Sequence, residues 1–219
     1  MKKLFVTFVL VGLAASSHAG VGNVYFTNIR TKTDAARIYA VDPSHPDALL
    51  QGKTADYTGR DLLYGAGYTA ELWIGFDADH LQSLGGSQVV LSDKPAPKKT
   101  DLGGILYKGG LAKVNTTYAA GTKVVLQVRA WENRGGTIKT WNDVLSNDSV
   151  ARGWSKAVLD YQLSGVIENP NGVPTPLPPA KNLVTAGLES FGLFVVPEPS
   201  VIALFALGLG ALLMRRRCP

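Results

Sequence analysis

Between residues 123 and 131 the chain keeps a period of two. Val124, Leu126, Val128 and Ala130 fall on one side of an extended backbone, and Lys123, Val125, Gln127, Arg129 and Trp131 on the other. Residues 68–76 do the same, with Tyr68, Ala70, Leu72, Ile74 and Phe76 opposite Thr69, Glu71, Trp73 and Gly75. Successive side chains of a strand point to opposite faces, so these two runs read as long strands. Shorter strands are expected around Val21, Val24, Phe26 and Ile29, and at residues 37–41, 88–91 and 102–107. A further strand is expected at 156–163, with Ala157, Leu159, Tyr161 and Leu163 sharing a face, and a last one at 188–196. Gly85-Gly86, Gly103-Gly104, Gly109-Gly110 and Gly135-Gly136 punctuate the runs. The pattern predicts a mostly β fold, an antiparallel β-sandwich over residues 20–196, with short helices at 78–84 and 140–145. Pro170, Pro174, Pro176, Pro178 and Pro179 mark an extended loop before the final strand, which is expected to pair back into the sheet.

The single cysteine is Cys218, so the body has no disulfide to rely on and must be held by burial. A body of this size can bury a sufficient core. The formal charge of +5 is misleading, because Lys2, Lys3 and Arg215, Arg216 and Arg217 lie at the two ends. Of the 22 Lys+Arg and 17 Asp+Glu, removing those five and Glu198 leaves the body near +1. Lys94, Lys98 and Lys99 cluster, but Pro95 and Pro97 between them favour a solvated loop over a nucleic-acid surface, and no nucleic-acid partner is expected.

Both ends read as addresses. Lys2 and Lys3, an apolar stretch at 4–15 and Ser17-His18-Ala19 form a cleavable secretory signal, which predicts removal of residues 1–19 by signal peptidase. At the other end stand Pro197, Glu198 and Pro199, an apolar run at 201–214, and then Arg215, Arg216 and Arg217. As a helix that run would be about 21 Å long. It is apolar on every face, which calls for burial, and the arginines should stay cytoplasmic as the membrane stop. A single transmembrane helix at 201–214 is therefore expected, with arginine stems extending its reach.

This order of Pro-Glu-Pro, short span and arginine cluster resembles the PEP-CTERM sorting signal of Gram-negative bacteria. The resemblance implies that residues 197–219 are a tag recognised by exosortase, a membrane-embedded cysteine protease or transpeptidase-like enzyme that processes near the Pro-Glu-Pro motif. It also implies an inner-membrane precursor with a periplasmic body, later delivered to the cell surface or extracellular matrix. The body is similar to a group of small secreted proteins with the same tag, through residues 68–72, 127–132, Gly153-Trp154-Ser155 and 188–196. That resemblance implies a β-sandwich and assigns no chemistry.

The body offers little for catalysis. It has no cysteine, no Gly-x-Ser-x-Gly elbow, no P-loop and no dinucleotide motif, so no catalytic residue, no cofactor and no enzymatic activity are expected. Asp77, Asp79 and His80 form a small cluster that lacks the ligand spacing of a calcium loop, and no metal site is assigned. Trp73, Trp131, Trp141 and Trp154 leave two readings open. On an exposed face they would stack on sugar rings and make a carbohydrate-binding module with an exopolysaccharide as partner. On a covered face they would be core.

Overall fold

The computed structural model describes residues 20–31, 33–93, 104–107, 112–168 and 173–196. The leader at 1–19, the lysine cluster at 94–99 and the tag from Pro197 onward lie outside these residues. Among the described residues no helix is long and apolar enough to cross a membrane.

The two long alternating runs become the centre of the molecule. They are β3 (Tyr68–Gly75) and β8 (Lys123–Glu132), paired antiparallel along the whole of β3 from Tyr68↔Glu132 to Gly75↔Val125. Around them gather β4 (Gln82–Ser83), β5 (Val89–Leu91), β6 (Leu106–Tyr107), β9 (Arg152–Trp154) and β10 (Val158–Gln162). Together they form a seven-stranded sheet ordered β10-β8-β3-β5-β6, with β4 on β3 and β9 on β8. A separate antiparallel ribbon joins β1 (Val21–Phe26) to β7 (Ala112–Ala119). Val24 and Phe26 of β1 and Val114 of β7 share one core with Ala70, Leu72, Ile74, Val124, Leu126, Val128 and Ala130 of the large sheet. The molecule is thus mostly β, with antiparallel sheets and very little helix.

The expected helix at 140–145 is present as α1 (Trp141–Leu145). Thr140 caps it: its hydroxyl accepts the Asp143 N–H at 3.2 Å, and the Asp143 carboxylate accepts the Thr140 N–H at 2.9 Å. This reciprocal pair satisfies donors at the helix start that have no intrahelical partner. The Asp143 carboxyl is held below its usual range, first by the Thr140 backbone N–H.

Three expectations need correction. Residues 78–84 are not a helix. The Asp77 carboxylate accepts the N–H groups of Asp79 and His80 at 3.0 and 2.9 Å, closing a turn, and the chain resumes as β4 against β3. In β10 the expected face is wrong at Leu159, which is 63% exposed, while Val158 and Tyr161 are buried. Between Val158 and Tyr161, β10 advances three residues against two on β8, and Asp160 has φ +53. That is a β-bulge, and one extra residue reverses the alternation. Finally, β13 (Phe191–Gly192) pairs in parallel with β2 (Ile38–Tyr39) as a small separate sheet. Among the described residues its continuation bridges to the large sheet antiparallel, from Phe194 to Arg152 in β9.

The proline-rich stretch contributes β12 (Pro174–Pro176), which pairs with β11 (Val166–Glu168). Proline lacks an N–H for the ladder, so it suits an edge position of this kind.

Candidate functional site

Two places in the body carry concentrated polar and aromatic structure: the segment that leads into the tag, and the outer face of β3 and β8.

The lead-in segment is held on both sides by backbone hydrogen bonds. The N–H groups of Phe191 and Leu193 donate to the carbonyls of Arg37 and Tyr39 at 3.2 and 2.9 Å. The Gly192 N–H donates to the Leu50 carbonyl at 2.9 Å, and the Gly52 N–H to the Ser190 carbonyl at 2.9 Å. Phe194 exchanges both bonds with Arg152, at 2.8 and 2.9 Å. Val195 donates to the Pro46 carbonyl at 2.7 Å. Glycine is required at two crossing points. A Cβ on Gly192 would collide with Nη1 of Arg60, and one on Gly153 would stand 2.5 Å from the Gly192 carbonyl oxygen. Arg60 is itself enclosed, its side chain 3% exposed, with Nη2 3.7 Å from the Asp42 carboxylate.

Tyr57 ties the same segment down. Its hydroxyl donates to the Ser190 carbonyl at 2.7 Å and its ring stacks on Tyr39 at 4.3 Å. Burial pushes the Tyr57 phenol up to about 12, with Tyr39 adding to the rise and Arg60 opposing it. Burial does the same to Tyr161, also to about 12, where the hydroxyl donates to the Lys181 carbonyl at 2.7 Å. Unfolded phenols titrate near 10, so above that pH the unfolded chain loses protons that the folded chain keeps. Stability should therefore be intact below pH 10 and fall progressively toward pH 12. Melting temperatures across pH 9 to 12 should decline, and Tyr57→Phe together with Tyr161→Phe should flatten the decline. An equally steep decline in the double variant would assign the effect elsewhere.

The outer face of the large sheet presents Glu71 and Trp73 from β3 and Gln127, Arg129 and Trp131 from β8, with Glu71 directly across from Arg129. It is covered by α1, whose Trp141 and Val144 form a second core with Trp131 and Val150. Trp141 makes edge-to-face contacts with Trp73, Trp131 and Trp154, at 6.4, 5.9 and 6.1 Å. Trp154 then touches Phe194 at 5.4 Å, which joins this row to the lead-in segment.

The exposed platform of four tryptophans is therefore not what forms. Trp131 is 0% exposed and Trp141 5%, and the Trp131 indole N–H donates inward to the Ile138 carbonyl at 3.2 Å. The Trp131 ring is sealed from solvent, and Trp141 keeps only an edge at the cleft beside Trp73. Trp73 and Trp154 are half-buried at the margins of the cluster.

Sequence reasoning missed the polar floor beside Trp73. Glu71 is 4% exposed and its carboxylate collects three donors. Oε2 accepts the Trp73 indole N–H at 2.8 Å, and Oε1 accepts the Ser83 hydroxyl at 2.7 Å and the Gln88 amide at 3.1 Å. The Arg129 guanidinium lies over the Trp73 ring at 3.6 Å. Burial pushes it down to about 10 and Glu71 opposes the shift, so it stays charged at neutral pH. The available sequence signal was the alternation that set Glu71 and Arg129 on the tryptophan face. The cluster at Asp77, Asp79 and His80 behaves differently, since Asp77 Oδ1 is spent on its own loop and on the His80 ring at 2.8 Å. Among the described residues no group of three or more His, Cys, Asp or Glu side chains gathers as a metal site would require.

The antiparallel β body is hydrogen-bonded up to Val195, two residues before Pro197-Glu198-Pro199 in the sequence. The chain carries a PEP-CTERM protein-sorting motif, which matches residues 195–217. That motif implies sorting by exosortase and anchoring through the C-terminus. No curated protein and no solved structure matches the chain.

Proposed function

We propose that this is an exported, non-catalytic protein of the cell envelope or extracellular matrix. Signal peptidase removes residues 1–19. The β1–β7 ribbon and the seven-stranded sheet act as the two layers of a sandwich body on the periplasmic side. Residues 201–214 hold the precursor in the inner membrane, with Arg215, Arg216 and Arg217 on the cytoplasmic side. Exosortase then processes the tag at Pro197-Glu198-Pro199 and releases the body to the surface or matrix.

The observation that carries this reading is the sorting motif itself, beginning at Val195. The Val195 N–H is still bonded to the Pro46 carbonyl, so the tag continues from a fixed strand with little slack before Pro197. A processing enzyme in the membrane would meet its target close beneath a compact domain.

N-terminal sequencing of the envelope form should return a chain starting at Gly20. Recovery of Met1 on that form would contradict export by this route. A hydrolase would turn over members of an ester and glycoside panel, whereas no turnover is expected of this protein.

A further inference from the structure

We propose that the cleft between the β4–β5 turn and the start of α1 binds a neutral saccharide. It encloses about 490 Å³, within the range of roughly 300–1,000 Å³ that small-molecule sites occupy. Glu71, Trp73 and Ser83 line it from the sheet, Gly85, Gly86 and Gln88 from the turn before β5, and Thr140, Trp141 and Asn142 from the helix start. The inference is independent of sorting, because it concerns the body after delivery.

The two sides of the cleft are braced in place. The Gln88 amide donates to Glu71 at 3.1 Å and to the Lys139 carbonyl at 3.0 Å, which ties the sheet to the segment entering α1. The capping pair of Thr140 and Asp143 fixes that segment in turn. Such prior bracing lowers the ordering cost of binding.

The lining selects by chemistry. The Trp73 indole N–H is consumed by Glu71, so what this residue offers a ligand is apolar ring surface. An ionised carboxylate has about four acceptor positions, and three are taken on Glu71. One remains, beside the lone pairs of the Ser83 oxygen and the Gln88 carbonyl, since Gln88 has spent both amide hydrogens. The Thr140 hydroxyl is engaged by Asp143, accepting its N–H and bonding its carboxylate, so it braces the rim of the cleft. Asn142 adds an amide with both characters at the exposed rim. An aromatic wall facing a mixed hydrogen-bonding wall suits a pyranose, which has an apolar C–H face and a rim of hydroxyls.

The competing classes fit less well. An organic cation seeking the Trp73 ring would be repelled by the Arg129 guanidinium, 3.6 Å from the ring centre. An acidic ligand would meet the Glu71 carboxylate. A purely apolar ligand would cover these polar groups without bonding them, at a desolvation cost.

The test is native electrophoresis of the mature protein through gels containing dextran, hydroxyethylcellulose, galactomannan or glycogen, with polygalacturonate as the acidic comparison. At least one neutral polysaccharide should retard the protein in a saturable way. Trp73→Ala should weaken that retardation tenfold or more. Gly85→Leu should do so as well. A Cβ at Gly85 meets nothing within 4 Å and its φ is unstrained, so this variant narrows the cleft and should keep the wild-type melting temperature. Because Trp73 also packs against the second core, the Gly85→Leu result decides if Trp73→Ala fails to fold. Absence of retardation by all four neutral polymers, retardation by polygalacturonate alone, or unchanged binding in folded Gly85→Leu would each overturn the proposal.

Discussion

Leu126→Asp should lower the stability of the body by about 4 kcal/mol. Leu126 is 1% exposed and sits on β8 with Ile74 of β3 on one side and Val158 of β10 on the other. The substitution removes a buried side chain worth roughly 1.5–3 kcal/mol. It also leaves a carboxylate among Leu72, Ile74, Val124 and Val128, where it must either stay unpaired or take up a proton. In a domain of 150–250 residues such a loss lowers the melting temperature by about 8–16 °C. Leu159→Asp is the matched control. Strict alternation would bury Leu159, whereas the bulge at Asp160 turns it outward, so its cost should stay within about 0.5 kcal/mol. Equal losses in the two variants would mean that the faces of β8 and β10 have been assigned wrongly.

The second large effect belongs to the tag, where retention and processing should separate. The run at 201–214 holds five leucines with Val201, Ile202 and Phe205. At about −0.3 to −0.6 kcal/mol each, these eight side chains favour insertion by roughly 2 to 5 kcal/mol. One central charge costs about 2.5 to 3.5 kcal/mol on the same scale. Leu207→Arg should therefore bring insertion near balance and release much of the precursor from the membrane. Glu198→Ala leaves the apolar run untouched, so that precursor should stay membrane-bound and unprocessed. Fractionation with gel mobility distinguishes the two outcomes.

The pattern of success along the chain has physical causes. β3 and β8 were legible because their core-facing positions are apolar at every second residue. α1 was expected at 140–145, and the structure shows what starts it, the reciprocal Thr140–Asp143 cap. β7 was not, because its buried face runs through Val114 and Thr116, and Thr116 earns its place by donating to the Gly22 carbonyl at 2.9 Å. A hydroxyl satisfied by a distant backbone oxygen leaves no mark in local sequence. The bulge in β10 was hidden for a related reason: an inserted residue shifts the register without changing composition. The tryptophans were visible but their exposure was not, since five residues of helix decide which rings are sealed. The Glu71 floor joins residues from β3, β4 and the edge of β5, and only the register between strands brings them together.

The central claim, that the chain is an exosortase substrate, is tested most directly by the intact mass of the envelope protein from cells with and without exosortase. With the enzyme, the mass should correspond to a chain that begins at Gly20 and has been processed at or beside Pro197-Glu198-Pro199. Without it, residues 197–219 should remain attached. The same mass from both cells would contradict the account.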